Sequence, residues 1–319
     1  MNSGKTKVLI TGGFGALGIN LINSLKQADS FEIYVLDNLS SGVANIQTDV
    51  SFTYLDIGNK EKVDSFFGKF QPEIIFHLAA HFANQNSVDH PVSDVTTNVL
   101  GLINLFEAQK KNTALKKIIY ASSSCVYGAL EIMNEANFVT PYETPYAINK
   151  YVGELYCKYY AEIHRLPVVC ARIFNSFGPG ELPGQYRNVI PNFILKAIRG
   201  EDIFVTGTGN ETRDFTYVSD TVELLLKLAN SAFRNAEIFN GGTGTKTTIK
   251  YLAETIVRIT KSKSKIIYSE ARSWDHVKHR CSDISKSKVN LGYTPVTNFE
   301  VGLLETVEWI QSKKIFWDI

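Results

Sequence analysis

Thr11-Gly12-Gly13-Phe14-Gly15-Ala16-Leu17-Gly18 is the stretch on which the fold turns. The apolar run Lys7-Val8-Leu9-Ile10-Thr11 ahead of it predicts a buried strand, and Ala16 to Lys26 behind it predicts a helix. Its glycines satisfy both the GxGxxG and the GxxGxxG spacing. Glycine permits the tight turn and lets a pyrophosphate approach the backbone N–H groups of the helix N-terminus, where the dipole favours anions. Alone, such a loop is about as well explained by a strand–helix turn that binds nothing. Asp37 tips the balance. It closes the next apolar run, Glu32 to Asp37, nineteen residues past Gly18. A carboxylate there can accept hydrogen bonds from both ribose hydroxyls and repels a 2′-phosphate, so the pattern predicts NAD rather than NADP.

Working outward, Ser51 to Leu55, Ile74 to Ala79, Lys117 to Ser122 and Val168 to Ile173 repeat the strand signal. Helical patterns at 59–69, 91–112 and 145–165 lie between them. Strands that are apolar throughout and alternate with helices predict an α/β fold, a doubly wound parallel sheet covered on both faces. Beyond about residue 174 the pattern loosens. Phe177-Gly178-Pro179-Gly180 and Leu182-Pro183-Gly184 break the chain. A helix at 188–199, a strand at 202–205, a helix at 221–228 and a strand at 237–240 are expected to follow, the last two rejoining the sheet. The expected organisation is a dinucleotide-binding domain from residues 1–174 plus about 215–242. About 175–214 plus 243–319, with helices near 248–260 and 299–312, form a smaller mixed α/β substrate domain.

Composition narrows the classes. Lys and Arg number 33 against 32 Asp and Glu, so the chain lacks the basic excess of a phosphate-neutralising nucleic-acid binder. A hydrophobic content of 44% with 20% charged residues excludes wholesale disorder. No apolar run reaches membrane-spanning length, and the opening Met-Asn-Ser-Gly-Lys-Thr-Lys fits neither a signal peptide nor an anchor. Cys125, Cys157, Cys170 and Cys281 are widely spaced, with no CxxC pair. The expectation is a reduced, cytoplasmic protein without a structural metal, a membrane partner or a nucleic-acid partner.

Tyr146-Ala147-Ile148-Asn149-Lys150 sets a phenol and an ammonium one helical turn apart. A neighbouring Lys⁺ favours phenolate and is expected to lower the tyrosine pKa, making it a useful base. By composition alone, roughly one YxxxK arises by chance in a chain like this, so an exposed Tyr–Lys pair is the default. Position changes that. The strand at 117–122 runs into Ser122-Ser123-Ser124 at the carboxyl end of the sheet, where open α/β folds bind ligands. Tyr146 opens the following helix after Pro141 and Pro145.

With these pieces in order, the sequence resembles an extended short-chain dehydrogenase/reductase of the NAD-dependent epimerase/dehydratase family, built on a Rossmann fold and acting on nucleotide sugars. TGGFGALG at 11–18, LDN at 36–38, Asp56-Ile57, HLAA at 77–80 and Asn98 with Gly101 carry the resemblance. SSSCVYG at 122–128, PYAINK at 145–150, RIFNSFGPG at 172–180 and RDFTYVSD at 213–220 extend it over nearly the whole chain. By that resemblance Gly12, Gly15 and Gly18 hold the pyrophosphate and Asp37 the adenosine ribose, with Phe14, Ala16, Leu17 and Asn38 also among the cofactor-binding residues. Asp56 and Ile57 flank the adenine, while Leu78, Ala79, Ala80 and Asn98 lie near the cofactor. Ser123, Tyr146 and Lys150 are the implied catalytic residues, Lys150 also holding the nicotinamide ribose. Ser123, Ser124, Asn175, Asn188, Val189, Arg213 and Arg272 fall where relatives bind the substrate.

The resemblance also implies a reaction class. Dehydratases carry Asp-Glu directly after the catalytic Thr and decarboxylases Ser-Glu, whereas this chain has Ser124-Cys125. A thiol is no substitute for glutamate in elimination, so a C4 epimerase of a nucleotide sugar, with UDP-sugars favoured, is expected. A UDP-glucuronate decarboxylase, or another enzyme passing through a 4-keto sugar, is the runner-up, and a non-catalytic NAD-sensing regulator is the alternative from another class. His81 and Phe82 are candidates for the sugar pocket or for plain packing. The helices at 91–112 and 145–165 resemble the family's dimer interface, so a homodimer is expected.

Overall fold

A computed structural model describes residues 4–41, 49–271 and 277–313. Seven strands form the main sheet: β1 (Thr6–Thr11), β2 (Phe31–Asp37), β3 (Ser51–Tyr54), β4 (Ile74–His77), β5 (Lys117–Ser123), β6 (Val168–Ile173) and β7 (Asn235–Gly241). All neighbours run parallel, in the order β7-β6-β5-β4-β1-β2-β3. The chain winds outward from β1 to β3 and then returns to β4 on the other side of β1. The crevice between β1 and β4 is therefore the topological switch point, where ligands of such sheets bind.

The central strands are apolar on both sides because helices cover both faces, whereas the edge strand β3 is exposed along its length. On one face Leu9, Ile75, Ile118 and Val168 pack with Val63 and Phe67 of helix Lys60–Phe67, and with Leu102, Leu105 and Phe106 of helix Gly101–Gln109. Cys157 and Tyr160 of helix Pro145–His164 complete that layer. On the other face Val8, Ile10, Ile119 and Val169 meet Leu21, Ile22 and Leu25 of helix Ala16–Gln27 and Leu224, Leu225 and Leu228 of helix Val218–Asn230. A third cluster joins helices Val189–Arg199, Ile249–Thr260 and Phe299–Ser312 to strand Ile203–Thr206.

The long helix expected at 91–112 is broken. A short helix, Pro91–Val95, leads into a π-helical turn, Thr96–Leu100, and α-helix resumes at Gly101–Gln109. The π turn re-aims Asn98 so that its Oδ1 accepts from His81 N (3.0 Å) and its Nδ2 donates to His81 O (3.2 Å). Hydrophobic periodicity does not register a single inserted residue of this kind. The sequence pattern also omitted the helices Asn84–Asp89 and Ser285–Leu291, both too short to show a period.

Candidate functional site

A cavity of about 810 Å³ follows the carboxyl edge of the sheet from the glycine loop to Tyr146 and on to Arg213. Gly12 turns at φ +70°, and a Cβ there would sit 2.7 Å from the Ala79 backbone. A Cβ on Gly15 would meet nothing closer than Gly12 O at 3.3 Å, yet Gly15 lines the cavity. A side chain at Gly15 would fill the space at the helix N-terminus that a pyrophosphate needs. No side chain caps that helix, so its first N–H groups stay available to an anion. These features fit a dinucleotide.

Asp37 Oδ2 accepts from Phe14 N (2.9 Å) and Oδ1 from Leu39 N (2.7 Å), which fixes the carboxylate at the rim. Each oxygen keeps a lone pair for a ribose hydroxyl. Asn38 Nδ2 donates to Asp56 Oδ2 (2.9 Å), tying the two adenosine-side acids together, and Ile57 lines the same wall. With this carboxylate in place and no Lys or Arg from 38 to 48, NAD⁺ is expected to bind roughly tenfold or more tightly than NADP⁺. Titrating both dinucleotides checks this, and tighter NADP⁺ binding would refute it.

Two residues expected near the cofactor do not line the cavity itself. Phe14 buries its ring against Phe52, with centroids 4.9 Å apart, and offers its N–H to Asp37. Asn98 is buried behind the loop after β4 and holds His81 rather than lining the cavity. Leu78, Ala79 and Ala80, together with Ala16, Leu17 and Gly18, do line it.

At the chemistry end, Thr144 caps helix Pro145–His164 by accepting from Ala147 N, with Pro145 at the first position. Tyr146 and Lys150 are thus fixed one turn apart, both buried, and both lining the cavity with Ser123, Ser124 and Cys125. Lys150 Nζ donates to Ala121 O (2.8 Å) and lies 5.7 Å from the centroid of the Tyr146 ring. Phe82 meets that ring edge to face at 6.2 Å.

The expected pKa lowering at Tyr146 is overturned. Burial pushes the phenol well above its ordinary value, and the negative charges of Cys125 and Asp94 add to it, against a smaller opposing hydrogen bond with Ser123. Burial also pulls Lys150 down to about 8, with Asp94 the largest opposing influence. In so dry a place desolvation of each group is the leading cause. His77, bonded through Nδ1 to Thr11 Oγ1 at 2.8 Å, is held neutral by burial, its pKa down to about 3.

On the substrate side Asn175, Asn188, Val189 and Arg213 line the cavity. Arg272 lies outside the described residues. Residues that sequence reasoning passed over also face inward: Asn84, Glu181 and Arg280. Arg280 sits eight residues past Arg272 in a segment without a flanking motif, so only the fold brings it in. Glu181 accepts from Asn188 N at 3.2 Å, and burial raises its carboxyl to about 7. A folded-state pKa above the unfolded value favours the native state at low pH. That stability is complete below about pH 4.5 and is lost as pH rises to 7. Glu181→Gln is therefore expected to stabilise the protein at pH 8 by up to roughly 3 kcal/mol, with the gain shrinking towards pH 5. Urea melts at both pH values test this, and a pH-independent difference would refute it.

A family model described as NAD dependent epimerase/dehydratase matches residues 8–242. The chain is 31% identical to UDP-N-acetyl-alpha-D-glucosaminuronate decarboxylase of Bacillus cytotoxicus, over 96% of this chain and 98% of that one. It superposes with TM-score 0.91 on UDP-glucose 4-epimerase of Thermotoga maritima with UDP-glucose, at 32% identity over 96% and 99% of the two chains. The UDP-glucose 4-epimerase of Thermus thermophilus in complex with NAD gives 0.88, at 29% identity over 96% and 99%.

Proposed function

The chain belongs to the NAD-dependent epimerase/dehydratase family, and we propose that within it the protein is a UDP-sugar 4-epimerase. The carrying observation is that Ser123, Tyr146 and Lys150 share one cavity with the glycine loop, and Cys125 stands where elimination chemistry wants an acid. When bound, NAD would supply a reversible hydride acceptor for the sugar's C4. Tyr146 takes the 4-hydroxyl proton as the hydride leaves C4, and Ser123 orients the oxygen. Lys150, anchored on Ala121 O, would hold the nicotinamide ribose. Tyr146 then returns the proton once the 4-keto sugar has turned over, so no relay to solvent is needed.

The sheet with its two covering layers, 1–174 plus about 215–242, is the proposed cofactor domain, and the third hydrophobic cluster forms the core of the substrate domain. Asn175, Asn188 and Arg213, with Arg272, are the proposed grip on the UDP diphosphate, for which a guanidinium is well shaped, and Val189 lines the substrate side beside them. Similarity to decarboxylases keeps loss of carbon dioxide as the second reading. Incubating the protein with UDP-glucose, UDP-galactose, their N-acetylamino forms and the UDP-uronates separates the two by NMR. A C4 pair interconverting at constant mass is expected. Loss of carbon dioxide or water would contradict it, and NAD binding without any turnover would favour the regulator.

On helix Pro145–His164 the exposed Leu155, Tyr159 and Ile163 recur every fourth residue, beside exposed Val92 and Leu100 of the neighbouring segment. An apolar stripe of this kind supports a homodimer packed through these helices. Sedimentation at micromolar concentration is expected to give a dimer that Leu155→Glu with Ile163→Glu splits. A wild-type monomer would refute it.

A further inference from the structure

Glu181 is a carboxyl group lodged where the proposed ligands are anions. It lines the cavity with 7% of its surface exposed. Just before it, Pro179 and Gly180 rest against the start of helix Ala16–Gln27. Asn20 Nδ2 donates to Pro179 O (2.8 Å), and a Cβ on Gly180 would stand 3.1 Å from Ala16 O. On its other side Glu181 Oε1 accepts from Asn188 N (3.2 Å), the residue that caps helix Val189–Arg199. The acid thus stands beside Asn188, part of the proposed diphosphate grip.

The loop that follows is pinned. Asn192 Nδ2 donates to Gly184 O (3.0 Å), Arg187 O (3.3 Å) and Asn188 O (3.0 Å), and Asn192 Oδ1 accepts from Gly184 N (2.9 Å). Arg187 Nη2 donates to Ser41 O (3.2 Å). Moving Glu181 out to water would break into this set of bonds, so the carboxyl meets a ligand in place.

The groups around it do little to neutralise it. Helix Ala16–Gln27 brings Ala16, Ile19 and Asn20 to this contact, none of them titratable. Helix Val189–Arg199 and strand Thr212–Arg213 bring Lys196 and Arg213 into the cavity. The cation that acts on the Glu181 carboxyl is Arg187 of its own loop, while Tyr186 turns to Asp89 and His90. Burial raises the carboxyl to about 7, outweighing both Arg187 and the bonds to Asn188. Lys150 also titrates in the cavity, at about 8.

A diphosphate entering a dry cavity disfavours a second anion beside it. A protonated carboxyl instead offers an O–H donor, which a carboxylate lacks. Protonation and diphosphate binding must therefore favour each other, since such coupling is reciprocal.

We propose that Glu181 meets the substrate's diphosphate as the neutral acid, donating a hydrogen bond to a phosphate oxygen, so that binding a UDP-sugar takes up a proton at this residue. This rests on the UDP-sugar reading of the cavity. The sign follows from the free carboxyl at about 7 being raised further by the ligand. Affinity is full below that pH and falls by up to about tenfold per pH unit above it.

Calorimetric titration of the NAD-loaded protein with UDP-glucose tests it, because the charge of that diphosphate diester is constant across this range. Buffers of differing ionisation enthalpy count the protons. The wild type is expected to take up roughly half a proton at pH 7 and nearly one at pH 8.5, and to bind about tenfold or more weakly at pH 8.5 than at pH 6. Glu181→Gln keeps the shape and an N–H donor but does not titrate. It should bind within about threefold of the wild type at pH 6, about tenfold more tightly than it at pH 8.5, and lose most of the uptake. A wild type that takes up no proton would overturn the proposal, whether or not the variant folds. So would uptake that persists in Glu181→Gln, or an affinity ratio between the two proteins that is the same at both pH values. Infrared difference spectra of the wild type at pH 8.5 need no substitution: binding should convert a carboxylate band to a carboxyl band, and no conversion would overturn the proposal. Failure of UDP-glucose to bind at any pH would overturn the nucleotide-sugar reading together with it.

Discussion

Tyr146→Phe is expected to fold, bind NAD and lose roughly 10²–10⁴-fold or more in turnover, the usual range for a general base. The ring packs against Phe82, and the backbone N–H bonds to Ser87 Oγ at 3.0 Å, so both anchors survive the change. What disappears is a hydroxyl whose pKa burial has driven up. Because the phenol ionises reluctantly, the loss should appear mainly in kcat, with KM little changed. Ser123→Ala should cost less, since the base remains. Near wild-type turnover in Tyr146→Phe, measured by NMR of the sugar products, would make Tyr146 a packing residue.

The second large effect concerns stability. Beneath Ser123, Arg172 donates through Nε (2.9 Å) and Nη2 (2.7 Å) to the two oxygens of Glu154, and Ser122 Oγ adds a third bond at 2.6 Å. Both charges are almost wholly buried, and the guanidinium lies 4.5 Å from the centroid of the Tyr127 ring. Removing one partner strands the other in a dry interior. Glu154→Ala is therefore expected to cost about 3–5 kcal/mol in urea unfolding. Replacing both, as Glu154→Leu with Arg172→Met, should cost less than Glu154→Ala, because no charge is left unpaired. A loss of under about 1 kcal/mol for Glu154→Ala would contradict this.

The sheet, the glycine loop, Asp37 and the Ser123–Tyr146–Lys150 set were all legible in the sequence. Each is written in local pattern: an apolar run, a glycine spacing, a carboxylate at a strand end. What escaped is made by distant chain meeting. Arg280 reaches Cys125 across 155 positions, and Asp214 gathers Ser282 from 68 positions away. Neither contact leaves a periodic trace. The pKa reversal at Tyr146 escaped for a related reason. A sequence shows that a lysine is one turn away but not how completely both groups leave water. The sequence likewise gives no sign of the π turn that directs Asn98 to His81.

In the proposed reaction C4 is oxidised and reduced again within one site. A UDP-sugar deuterated at C4 tests this most directly. Incubated with the NAD-loaded protein, it should yield the C4-inverted sugar with unchanged mass, the deuterium still on C4 and no accumulating NADH. Loss of the label to water, or a product lighter by carbon dioxide or water, would contradict it.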